Sequence, residues 1–283
     1  MKRICFTVLC SVFVFSFCNA QLTRMNNSKP MKAVEAINKK DIDKSRLRVF
    51  YDLDFKENKR SVTNAKTVLL IGETVSNYSD FYTLKQDSLQ EAFSKQEPHI
   101  DQLNALVAVN KKKQLQARIY KNYPEKKVTT QSGFFGYFYQ YEESELDIKW
   151  KVKSEKQEIL GYVCKKATTS FRGRNYVAWY TEEIPISDGP HLFGGLPGLI
   201  LKLEDATKEY VFTAIGIDKE QQDIYIPIES NIVNTTRTAF LKAERAFYEN
   251  PGILMQGQVY SSPGKVEASQ NYKALPYNPI ELE

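Results

Sequence analysis

Apolar and polar positions alternate at a period of two along most of the chain, which predicts strands from end to end with few helical interruptions. The most regular run is Leu199 to Glu204, where Leu199, Leu201 and Leu203 are expected on one side and Ile200, Lys202 and Glu204 on the other. Ahead of it lies a turn-rich stretch, Ile184 to Gly198 (IPISDGPHLFGGLPG), containing Asp188-Gly189-Pro190, Gly194-Gly195 and Leu196-Pro197-Gly198. Pro197-Gly198 reads as the centre of a type II turn, in which proline fixes φ and Gly198 accepts φ > 0.

The remaining strands follow the same pattern. Leu47 to Phe55 alternates Val49, Tyr51, Leu53 and Phe55 against Arg48, Phe50, Asp52 and Asp54, as a half-buried strand does. A polar turn through Asn58 to Asn64 leads to a second strand, Thr67 to Ile71, and a bend at Gly72-Glu73. Gln114 to Tyr120, Ser132 to Tyr141 and Leu146 to Val152 suit an antiparallel meander. Ile159 to Phe171 and Tyr176 to Thr181 form a hairpin about Arg172-Gly173-Arg174, with Gly173 at the φ > 0 position. Glu209 to Ile217 returns beside the leucine strand, and Pro227 confines Ile224 to Ile228 to a sheet edge.

Helical spacing appears in three places. Met31 to Ile37 is a weak patch. Asp87 or Ser88 caps a helix from Leu89, and Leu103, Leu106 and Val107 continue an apolar stripe beyond Pro98. Thr235 or Thr236 caps a helix to about Glu249, with Phe240, Ala243 and Phe247 on one face and Asn250-Pro251-Gly252 as the stop. The expected fold is mainly β with α+β character: a curved antiparallel sheet or half-barrel with one or two helices packed on one side of it.

Composition changes the picture at the N-terminus. Lys2 and Arg3 precede an apolar run from Ile4 to Phe17, and small residues at Cys18 and Ala20 stand before Gln21. This reads as an export signal cleaved after Ala20, too short to span a membrane. The expected organisation is a signal over residues 1–20, a basic arm over 21–45 and a single β-rich domain over 46–283, placed in the periplasm or at the outer membrane. Cleavage leaves Cys164 as the one cysteine of the mature chain, so no intramolecular disulfide forms. It also lowers the net charge from +5 to +3, with 37 basic against 34 acidic residues. So mild an excess excludes nucleic acid as an expected partner. The 283 residues are 42% hydrophobic, with 17 Tyr and 16 Phe against 2 Trp, a bias that favours sheet. Trp150 and Trp179 both fall on predicted strands and read as packing residues.

Candidate chemistry is sparse. Cys164, in GYVCKK, reads as a small core residue, although Lys165 and Lys166 would activate an exposed thiol. His191 follows Asp188-Gly189-Pro190, but no G-x-S-x-G elbow accompanies that Asp and His. His99 is the other imidazole. Two distant histidines and one thiol match no zinc pattern, and Asp52 and Asp54 read as solvated carboxylates rather than a cation site. Gly194, Gly195 and Gly198 form no phosphate-binding motif. No catalytic residue, metal or cofactor is therefore expected. A lipid or peptide in the concavity of the sheet is the remaining ligand class, with aromatic side chains filling that space as the competing expectation.

GLPGLIL, Gly195 to Leu201, resembles the signature of the GLPGLI family, exported Bacteroidetes proteins also described as a Porphyromonas-type domain of unknown function. The resemblance extends through CKKATTSFRGRNYVAWYTEEIPISDGP, Cys164 to Pro190, and to the terminal NPIELE. It makes Cys164, Gly173, Trp179, Asp188, Gly189, Pro190, Gly195, Leu196, Pro197, Gly198, Leu199 and Ile200 a structural motif. The family brings no catalytic residues, and its pattern has an aromatic residue where His191 stands. It implies an accessory role beside outer-membrane transporters, with a transporter or other envelope protein as partner, and a sheet similar to periplasmic lipoprotein carriers. The expected function is non-enzymatic binding or accessory work in the envelope. The alternative is an enzyme with thiol or hydrolase chemistry at Cys164 or His191.

Overall fold

Strand alternation builds one large sheet, in which most sequence neighbours pair. The computed structural model describes residues 31–58, 61–134, 136–228, 231–252 and 273–283. The expected signal segment lies outside them. The elements are β1 (Lys39–Lys44), β2 (Leu47–Asn58), β3 (Ser61–Ile71), β4 (Ser76–Asp80), α1 (Phe81–Phe93), α2 (Ile100–Asn110), β5 (Arg118–Lys121), β6 (Lys127–Phe134) and β7 (Tyr137–Ser144). They continue with β8 (Lys151–Ile159), β9 (Tyr162–Phe171), β10 (Arg174–Thr181), β11 (Leu199–Asp205), β12 (Tyr210–Asp218), β13 (Asp223–Pro227), β14 (Ile232–Asn234) and α3 (Arg237–Glu249).

Twelve strands form a sheet in the order β14-β7-β6-β5-β4-β3-β2-β12-β11-β10-β9-β8, which does not close into a barrel. Here β7 and β8 lie toward opposite ends, and β2 pairs with β12. Its pairs are antiparallel except β14 beside β7. β1 and β13 pair as a separate two-stranded ribbon. The predicted β9–β10 hairpin turns at Arg172 (φ 45°) and Gly173 (φ 77°). Leu160 (φ 52°) and Gly161 (φ 81°) turn β8 into β9 in the same way. Two successive positive φ values match the right-handed twist of the flanking strands.

One face of the sheet carries the main core: Val49, Tyr51 and Leu53 from β2, Tyr176, Ala178 and Tyr180 from β10, and Leu203 and Phe212 from β11 and β12. Each such fully buried aliphatic or aromatic side chain contributes about 1.5–3 kcal/mol. Val68 and Leu70 of β3 point the other way, into a second cluster with Leu84 of α1 and Ile224 of β13. On the core face, Phe134 and Tyr141 meet Phe240 of α3. Two helices therefore pack on the sheet, but on opposite faces rather than on one side, because β3 is apolar on both.

Several boundaries differ from the expected ones. The helix expected from Leu89 begins at Phe81, because buried Asp80 is its cap and accepts from Tyr82 N at 2.8 Å. Asp87 and Ser88 lie inside it. In α2 the expected apolar stripe faces outward: Leu103 and Val107 are 50% and 45% exposed, while Gln102 and Val109 are buried. The strand expected over Ser132 to Tyr141 is two strands, β6 and β7, with Gly136 at positive φ (80°) ahead of β7. Leu146 to Trp150 is irregular, and β8 starts at Lys151. The helical patch at Met31 to Ile37 is coil, and the arm that follows it contributes β1.

Candidate functional site

The Ile184-to-Gly198 connection between β10 and β11 turns back over the core face of the sheet and fills one end of its concavity. Leu192, Phe193 and Leu196 are each at most 5% exposed. Phe193 packs against the rings of Trp150, Phe171 and Tyr176, the last at 4.6 Å between centroids. Trp150 Nε1 donates to Gly194 O at 2.8 Å. The connection is a plug.

Lys121 fixes the plug from β5. Its ammonium donates to Gly189 O at 2.7 Å and Phe193 O at 3.2 Å, and also bonds the Asp188 carboxylate, which accepts from Gly189 N at 2.7 Å. β5 and β10 stand well apart in the strand order, so this contact spans the concavity and requires a strongly curved sheet. Asp188 is thereby committed to Lys121 and does not pair with His191. The Asp and His that stand close in sequence are therefore not paired in space.

The chain re-enters the sheet by a turn of another kind from the one expected. Gly198 N donates to Leu196 O at 2.8 Å, a three-residue turn about Pro197. Gly198 does not have positive φ; that role falls to Gly195, at 83°. What position 198 requires is the absence of a side chain, since a Cβ there would stand 2.1 Å from Thr181 O. Beyond it, the expected Leu–Ile alternation fails at Ile200. A bulge between Trp179 and Tyr180 shifts the register, and Leu199, Ile200, Leu201 and Leu203 are all fully buried.

The other motif residues sit on the same framework. Pro190 O accepts from Phe193 N at 3.1 Å inside the plug. Trp179 is half-buried on β10, with Lys166 5.9 Å from its ring centroid. Cys164 is fully buried, and burial first, then Glu183, pushes its thiol up to about 11. His99 caps α2, its Nδ1 accepting from Asp101 N at 3.3 Å. Asp52 pairs with Lys66, and Asp54 accepts from Asn64 at 2.8 Å. Among the described residues, no group of three or more His, Cys, Asp or Glu is arranged to hold a metal ion.

Beside the plug the concavity stays open as a cavity of about 430 Å³. Leu53, Phe55, Ile119 and Phe212 line it from the sheet, and Phe240 and Leu241 from α3. His191 enters from the plug with φ 54°, its ring edge-on to Tyr78 at 6.1 Å. Desolvation first, then Arg172 and Lys121, pushes the imidazole down to about 3, so it is neutral at pH 7. The hydroxyl of buried Tyr78 lies beside Thr67 without a formed hydrogen bond. The cavity wall here is thus polar but uncharged.

The last described residues strap across this space. Arg174 donates to Asn278 Oδ1 at 2.7 Å and Pro279 O at 2.8 Å, Tyr176 OH donates to Ile280 O at 3.1 Å, and Leu282 N to Arg172 O at 3.0 Å. Glu281 lies between Arg172 and Arg237, and Glu143 pairs with Arg172 at 2.7 Å. The two motifs read separately in sequence, Arg-Gly-Arg and NPIELE, are one joint in space. Lys121 and this joint escape sequence reasoning, because their contacts cross 67 and 104 residues or more.

With this geometry in place, comparison with known proteins gives a single family. Residues 171–202 match the family model Porph_ging, a protein of unknown function. The matched segment runs from the Arg172 hairpin through the plug into β11, and agrees with the GLPGLI-type resemblance. No curated protein matches the chain. Among solved structures, PNGF-II in space group P21 is similar with a TM-score of 0.46 and 17% identity, covering 71% of this chain and 33% of that one. Its C2 form gives 0.45 and 16%, covering 71% and 32%. This chain thus spans about a third of PNGF-II. No helix among the described residues is long and apolar enough to cross a membrane.

Proposed function

We propose that the protein is an exported, non-enzymatic binding protein of the cell envelope, holding a small apolar ligand in the open half of its sheet and serving an outer-membrane transport complex. The cavity carries the reading. At about 430 Å³ it falls within the size range of small-molecule sites, and its walls are mainly apolar. The apolar run at Ile4 to Phe17 supports export.

The enzyme alternative draws less support. A thiolate nucleophile needs a lowered pKa and access, whereas Cys164 is buried with a raised one. A catalytic histidine needs a partner that orients it, and Asp188 is held by Lys121.

Native mass spectrometry of protein purified without detergent from its own envelope tests the proposal. A bound small molecule, released by organic extraction, is the expected result. A ligand-free monomer, together with loss of phenotype in Cys164→Ala or His191→Ala proteins of unchanged stability, would favour the enzyme.

A further inference from the structure

The distribution of charge around the cavity bears on what enters it. Its lining contains no lysine or arginine and three glutamates, Glu57, Glu244 and Glu281. Glu281 is neutralised by Arg172 and Arg237. Glu57 and Glu244 have no cationic partner among the described residues. Arg174, whose guanidinium lies over the Tyr210 ring at 5.1 Å from its centroid, is paired with Asp205 and Glu209.

Aromatic rings accompany the carboxyl groups of Glu57 and Glu244, the pKa of the latter raised above its ordinary value by burial. Tyr277 donates to Glu244 Oε2 at 3.0 Å and stacks at a tilt on Tyr248, 4.9 Å between centroids. Tyr210 stacks on Phe55 6.0 Å away. Glu57 is exposed at the end of β2, which makes this side the rim, while neutral His191 and Tyr78 lie at the inner wall. An ammonium group gains from both a carboxylate and the negative faces of tyrosine rings, whereas a carboxylate ligand would meet like charge.

We propose that the cavity takes an amphiphile with a cationic head, its apolar body among Leu53, Ile119 and Phe212 and its amine or quaternary ammonium at the rim between Glu244, Glu57, Tyr248 and Tyr277. The inference rests on the binding-protein reading and adds the head-group class. An amine-headed lipid and a free alkylamine share this chemistry.

Titration calorimetry of the whole protein at pH 7, with decyltrimethylammonium, decanol and decanoate below their micellar concentrations, tests it. The ammonium is expected to bind at least about tenfold tighter than decanoate, with decanol between. Glu244→Gln should remove most of that preference and leave decanol unchanged. Vesicles containing an amine-headed lipid, added as competitor, distinguish the lipid source from the free amine: displacement of the probe favours lipid. Equal binding of the three probes, or tightest binding of decanoate, would overturn the head-group assignment while leaving the cavity reading intact. Binding of none would overturn both.

Discussion

A methyl group at position 198 would lie 2.1 Å from Thr181 O and 2.7 Å from its carbonyl carbon, and neither backbone atom can yield without breaking the β10–β11 pairing. Gly198→Ala should therefore cost about 3 kcal/mol or more in urea unfolding, at the upper end of ordinary overpacking. Gly195→Ala should cost about 1–2 kcal/mol, because position 195 is exposed and only its positive φ is at stake. Equal costs would mean that close approach is not what selects glycine at 198. His191 contributes in a different way. Its folded pKa of about 3 lies below the unfolded value of 6.5, so the unfolded chain binds the extra proton between those two pH values. Stability from the neutral imidazole is complete above pH 6.5 and declines at about 1.4 kcal/mol per unit as pH falls toward 3. His191→Asn keeps a residue tolerant of positive φ and removes the titration. Between pH 7 and pH 5 the parent should lose about 2 kcal/mol more than this variant, measured by denaturant midpoints at both values.

At the scale of elements, the plug and the strap depend on cross-chain bonds. Lys121→Met leaves Asp188 buried without its cation and should destabilise by about 3–5 kcal/mol, with much of that recovered in Lys121→Met/Asp188→Asn. Failure of the second substitution to recover stability would locate the role of Lys121 in the Gly189 and Phe193 carbonyls instead. Period-two alternation located β2, β10 and β12, because each has one buried face against the same core. It failed where another constraint decides. The start of α1 is set by Asp80, whose carboxylate also accepts from Gln114 and Leu115 N at 2.8 and 3.1 Å, and nothing local announces that bond. The side of Ile200 is set by a bulge, and that of Leu103 by the packing of α2 on α1 rather than on the sheet. The plug was legible as turns but not as an insertion into the concavity, since its anchor is a lysine on a strand far back in sequence.

For the whole molecule, the sheet is half filled and half open. Aromatic side chains occupy one end of the concavity and a cavity the other: Phe193 and its neighbours fill the plugged end, and about 430 Å³ stays open beside them. Edge strand β8 is exposed along most of its length and carries Lys151, Lys153, Glu155, Lys156 and Glu158, a charge pattern that discourages pairing with a second sheet. The concave side offers apolar surface under cover of α3 and the strap. The claim that this space binds a ligand is tested most directly by the fluorescence of N-phenylnaphthylamine, a neutral apolar probe, titrated against the parent protein and against two variants plugged at lining positions of the cavity, Ser132→Trp and Ala117→Trp, whose circular dichroism matches the parent. Saturable binding near one equivalent by the parent and its loss in both variants is the predicted result. No saturable binding by the parent, or equal binding by all three proteins, would contradict it.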